Sequence, residues 1–168
     1  MGDAAPGSSD PEAQLAVLGA ALAAAVAAAV PGWVLRCVEG LLPAAAADRV
    51  VVLARAEEAG RRAGDDVGAA LGSLLARDID DQRTTPLEVV RGAVSYPTAV
   101  LRAAGVEPVE RDRFTRERFP EDSYGLSPAS LGAVSPELAE PGLAWGAAKA
   151  FVHRRRHAGP PPSPGGAS

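Results

Sequence analysis

Residues 55–72 read Arg55-Ala56-Glu57-Glu58-Ala59-Gly60-Arg61-Arg62-Ala63-Gly64-Asp65-Asp66-Val67-Gly68-Ala69-Ala70-Leu71-Gly72. Glycine recurs at every fourth position. Two charge ladders, Glu57–Arg61–Asp65 and Glu58–Arg62–Asp66, climb the same stretch with alternating sign. Residues four apart are neighbours on a helix surface, so the ladders predict one continuous helix. Each glycine weakens a helix interior by about 0.5–1 kcal/mol relative to alanine. What small residues at this spacing permit is the close approach of a second backbone. At about 100° per residue, Val52, Ala56, Ala59, Ala63, Val67, Ala70 and Leu74 share one face and the ladders take the other. A four-residue step overshoots one turn. The glycine row therefore starts beside the apolar face at Gly60 and Gly64 and turns toward the charged side by Gly68 and Gly72. Gly60 and Gly64 are the expected crossing point for a partner helix, and the natural partner is the alanine-rich stretch 15–30.

Outward from this stretch, the chain punctuates itself as a series of helices. Asp10-Pro11-Glu12 is a helix start, with a capping side chain and proline at the first helical position. That helix is expected to stop at Pro31-Gly32, and a second, shorter one to cover Trp33–Leu42 before Pro43. The glycine-bearing helix is expected over about 45–78. Thr85-Pro86-Leu87-Glu88 is a further start, with Pro97 restarting or kinking the helix that follows and Gly105 closing it. Ser127-Pro128 and Ser135-Pro136 read as short helix starts, and the last helix is expected over about 143–157. No run of strand alternation and no tandem repeat is present. The expectation is an all-α, bundle-like single domain over residues 10–157, with about five to seven helices. The Gly-, Pro- and Ser-rich ends, 1–9 and 158–168, read as disordered tails.

The chain has 168 residues, enough for one core of ordinary size. Its net charge of −4 offers no general attraction to nucleic acid or to anionic membranes. With the single cysteine Cys37, no intramolecular disulfide can form, which fits a reducing compartment. The N-terminus carries Asp3 and no basic residue, unlike the start of a secretory signal. No charge occurs from Ala13 to Leu35, a span long enough to cross a bilayer. Most of it is alanine, far less apolar than leucine, so the reading is a buried helix of a cytoplasmic protein, with a membrane span disfavoured. Arginine supplies all the basic residues except Lys149, and Ala, Gly, Pro and Arg are heavily used, a composition pointing to a GC-rich bacterial genome.

Arg83-Thr84-Thr85-Pro86-Leu87-Glu88-Val89-Val90-Arg91, Tyr96-Pro97-Thr98, Arg111-Asp112-Arg113-Phe114, Phe119-Pro120-Glu121-Asp122 and Glu140-Pro141-Gly142-Leu143-Ala144-Trp145-Gly146-Ala147-Ala148-Lys149-Ala150 form a recognisable text. Over about Arg83–Arg156 the chain resembles a family of small uncharacterised proteins from GC-rich actinobacteria. The resemblance implies a bacterial, cytoplasmic origin and brings no activity, cofactor or site.

Chemistry-bearing constellations are sparse. Asp78, Asp80 and Asp81 cluster at a helix end, without the glycine and spacing of a calcium loop. His153 and His157 sit four apart, as metal ligands can, but Arg154, Arg155 and Arg156 between them repel a cation. Those three arginines are candidate phosphate contacts, set against their ordinary role at a helix C-terminus. Arg111, Arg113, Arg116 and Arg118 alternate with Phe114 and Phe119, yet local carboxylates outnumber them, so a nucleic-acid role is disfavoured. Cys37 reads as a small buried hydrophobe with no base at a known spacing. All the aromatics except Trp33 lie between Tyr96 and Phe151. There Tyr96, Arg113, Tyr124, Trp145 and Lys149 are candidates to line a pocket of a ligand binder or small enzyme. No catalytic residue, cofactor site or metal site is assigned. The leading expectation is a non-enzymatic protein-interaction or regulatory subunit that binds a protein partner or a second copy of itself.

Overall fold

The computed structural model describes residues 10–75, 86–108, 113 and 131–157. They form α1 (Pro11–Leu41), α2 (Arg49–Leu75), α3 (Pro86–Gly92), α4 (Ser95–Ala103), a helical turn α5 (Leu131–Val134), a 3-10 turn at Pro136–Leu138, and α6 (Ala139–His157). The fold is all-α, and no strand occurs among the described residues. Among the described residues four helices exceed two turns, fewer than the five to seven expected. The cluster Asp78, Asp80 and Asp81, the aromatics Phe114, Phe119 and Tyr124, and both expected tails lie outside the described residues.

α1 starts where the sequence places it. The Asp10 side chain accepts a hydrogen bond from the Glu12 amide at 3.2 Å, and Pro11 occupies the first turn. The expected break at Pro31-Gly32 does not occur; α1 runs unbroken for 31 residues. Packing accounts for the difference. Val26, Val30, Val34 and Val38 step by four through the proline, and each is fully buried. Burying a valine stabilises by roughly 1.5 kcal/mol or more, while an interior proline costs about 3. Keeping Val34 and Val38 in phase with Val26 and Val30 therefore outweighs the kink. Pro43 ends the helix, and Arg49 Nη1 donates to the Leu42 carbonyl at 3.1 Å, placing a cation at the negative end of α1.

α2 lies antiparallel on α1. A Cβ added at Gly60 would stand 2.9 Å from the Pro31 carbonyl oxygen. One at Gly64 would stand 2.7 Å from the Ala27 carbonyl oxygen, and one at Gly68 2.8 Å from the Ala27 Cβ. Only hydrogen fits in these places. Pro31 has no N–H to offer the Ala27 carbonyl. Gly64 turns a Cα hydrogen toward that same oxygen, a weak C–H···O contact of the kind found at close helix crossings. The row stays against α1 one turn longer than its angle suggests, through Gly68; at Gly72 nothing lies within 4 Å. Both helices present four-step ridges, the basis of the commonest helix packing. Of the apolar positions read for α2, Ala70 is exposed and Ala59 half-buried, and the others are buried.

The remaining elements flank this pair. α3 and α4 are separated at Ala93-Val94, ahead of Pro97, which falls in the first turn of α4 where its missing N–H is harmless. Gly105 closes α4 with φ +73°. Its amide donates to Arg102 O at 3.0 Å and the Val106 amide to Leu101 O at 3.0 Å, the paired bonds of a Schellman cap. α6 begins at Ala139, ahead of Pro141-Gly142 rather than after them, and runs antiparallel to α1. One core cluster joins α1, α2, α3 and the 131–138 turns; a second joins the C-terminal end of α1 to α2 and α4.

Changing Gly64 to leucine should destabilise the fold by more than about 1–3 kcal/mol, because the added side chain meets backbone that cannot give way. Changing Gly72 to alanine should be neutral or stabilise by up to about 1 kcal/mol, since it adds helix propensity in open space. Urea unfolding of the two variants measures both; equal stabilities would mean that the glycines hold no crossing.

Candidate functional site

None of the three cavities described below is lined by Tyr96, Trp145 or Lys149. Tyr96 sits half-buried in the first turn of α4, and its hydroxyl donates to the Asp66 carboxylate on α2. This bond, with burial second, raises the Tyr96 pKa above its usual 10.0. Trp145 is half-buried on α6 and packs against the core over Gly19 of α1. A Cβ at Gly19 would stand 3.3 Å from the Trp145 Nε1, which is buried without a hydrogen-bond partner among the described residues. Lys149, one turn further on, is half-buried. Arg113 is exposed, and Tyr124 lies outside the described residues.

Arg154, Arg155 and Arg156 are exposed at the end of α6, beside the N-terminus of α1. Arg156 Nε pairs with Glu12 Oε1 at 3.1 Å. A cavity of about 280 Å³ there is lined by Asp10, Glu12, Val152, Arg155 and Arg156. Two carboxylates face two guanidinium groups, so the corner is close to neutral, a poor setting for a phosphate. Among the described residues, no three His, Cys, Asp or Glu side chains gather to hold a metal ion. Cys37 is half-buried against the core.

Among the described residues, two larger cavities lie elsewhere, and neither is lined by Tyr96, Trp145 or Lys149. One, of about 480 Å³, lies between α1 and the 131–138 turns, with Ala25, Ala29, Gly32, Arg36, Glu137 and Leu138 around it. Arg36 Nη2 donates to the Val134 carbonyl at 2.9 Å, which ties that guanidinium to the fold. The other, of about 510 Å³, is an open groove between α2 and α4. Its walls are mostly small apolar side chains, among them Val51, Ala54, Ala59, Val100 and Ala103. Its polar lining comes from α2, as Arg55, Glu58 and Arg62. Glu58 accepts from Arg61 and from Arg62 Nε, the latter at 3.0 Å. These two bonds, Arg61 first, hold its carboxyl below the usual carboxylate range.

The groove is absent from the sequence reading. The signal that marks half of it is Val50-Val51-Val52: on a helix three successive residues spread over more than half the circumference, so not all three can face the core. Val52 is buried, whereas Val50 is 82% and Val51 50% exposed. The α4 wall, Ala99 and Ala103, carries no such signal.

Comparison with protein-family models, with curated proteins and with solved structures finds no match for this chain. The resemblance over Arg83–Arg156 is thus not accompanied by a family assignment.

Tyr96 carries a pH dependence whose sign can be worked out. Its folded pKa is raised, so the stability it contributes is complete below the unfolded value near 10 and is lost as pH rises through the folded value. Changing Tyr96 to phenylalanine should cost about 0.5 kcal/mol at neutral pH, the low end for a hydrogen bond because this one is exposed. It should also make the fall in melting temperature above about pH 10 shallower. Thermal unfolding of both proteins between neutral and strongly alkaline pH checks this; parallel curves would mean that the Asp66 bond is not formed in solution.

Proposed function

We propose that this chain is a non-enzymatic helical interaction protein, a cytoplasmic adaptor or regulatory subunit acting through a protein partner or a second copy of itself. The supporting observation is how little of its most apolar helix the fold covers. α1 is long and apolar enough, by length and composition, to cross a membrane, yet only 28% of its most apolar 18-residue stretch is buried. Val17, Val50, Val51, Leu143 and Phe151 add large exposed side chains on three helices. Apolar surface left in water is stabilised when a partner removes it, and a partner that binds only the folded form also stabilises the fold.

Two features favour a soluble setting over a bilayer for α1. Its stretch 19–31 is already engaged by α2 and α6, and those contacts would have to part before lipid could surround it. The lone cysteine suits a reducing cytoplasm. Composition and resemblance support a GC-rich bacterial source.

Affinity purification of the full chain from its native host should recover a stoichiometric partner, or sizing with light scattering should show a homodimer. A strictly monomeric, partnerless protein with measurable turnover would overturn the reading. Sedimentation of the chain with membranes, resistant to high salt, would replace it with a membrane role.

A further inference from the structure

The groove between α2 and α4 differs in charge from the chain that carries it. Arg55 and Arg62 stand at its α2 side. One carboxylate, Glu58, serves both Arg61 and Arg62. Arg55 and the exposed Arg102 of α4 pair with no carboxylate among the described residues. Glu58 is the one carboxylate among the described residues that line the groove, and Asp66, further along α2, accepts from Tyr96. The groove's lining thus carries two arginines against one glutamate, on a chain whose net charge is −4. A positive edge on an acidic protein selects a negative partner and rejects a positive one.

Shape narrows the partner further. A trough between two helices, walled by alanine and valine, accepts the apolar ridge of a third helix. A second copy applying its own groove across a two-fold axis would bring arginine edges together, which disfavours that pairing. Resting on the reading of the chain as an interaction protein, we propose that the α2–α4 groove docks an amphipathic helix of a partner protein. The partner's small apolar side chains lie against Val51, Ala54, Val100 and Ala103, and its flanking Asp or Glu side chains meet Arg55 and Arg62.

The test uses the full chain and two synthetic helical peptides of about 18 residues, a length able to hold a helix. Both carry alanine and leucine at i, i+3, i+4 and i+7; one has glutamate flanking that face and the other lysine. Binding is followed by fluorescence anisotropy, alongside Ala103→Glu, which fills the groove, and Arg55→Glu, which reverses its edge. Both positions are exposed, and circular dichroism verifies that both variants fold. The glutamate peptide should bind saturably and more weakly as salt is raised, and the lysine peptide should not bind. Arg55→Glu should weaken binding by at least about fivefold, and Ala103→Glu should abolish it. The proposal is overturned if the glutamate peptide fails to bind, if the lysine peptide binds as well, or if both variants bind unchanged. A dimer of the full chain that Ala103→Glu disperses also overturns it, by making a second copy the occupant. A host partner whose binding survives both variants removes the groove and leaves the interaction reading standing; absence of any partner or self-association removes that reading itself.

Discussion

Contact between the backbones of α1 and α2, at Ala27 and Pro31 against Gly60, Gly64 and Gly68, is the constraint on which the other elements depend. The two helices form the spine, and α4 and α6 lie on its flanks. The Tyr96–Asp66 bond ties α4 to α2, and Trp145 covers Gly19 of α1 where α6 crosses. Moving the spine helices apart by the width of one methyl group would open both core clusters, since each draws side chains from α1 and from α2. Interiors packed at crystal-like density do not absorb such a shift without loss.

A spine built of alanine, glycine and valine has a second consequence. Close approach gathers many dispersion contacts in a narrow strip, but each small side chain removes little surface from water. Narrow helices also leave troughs where others lean on them, as at the α2–α4 groove and beside Gly32. Both the exposed hydrophobic side chains and the grooves thus follow from the crossing that gives the fold its order.

Arginine compensates for what apolar burial does not supply. Arg49 holds the end of α1, Arg36 holds the Val134 carbonyl, and Arg156 joins the two chain-distant helix ends by pairing with Glu12. A planar fork on a long stem suits such ties better than a lysine point charge. Arg36, Arg49 and Arg156 are therefore structural, and the guanidinium groups at the α2–α4 groove and at Arg154 and Arg155 stand apart from them.

Local signals in the sequence carry much of this. Asp10-Pro11 starts α1, Thr85-Pro86 precedes α3, Gly105 ends α4, and the absence of strand alternation matches an all-α fold, because each depends on backbone chemistry within a few residues. The glycine row and its inclination are likewise written in the spacing. Only tertiary structure decided that Pro31 lies within a helix, because the burial of Val34 and Val38 that outweighs its cost comes from residues distant in sequence. Only tertiary structure set Tyr96 against Asp66 of α2 and Trp145 over Gly19 of α1, and brought Val51 of α2 beside Ala103 of α4 to form a groove. Spacing along the chain determines which residues share a helix face; which face meets which is settled by the packing of all the helices together.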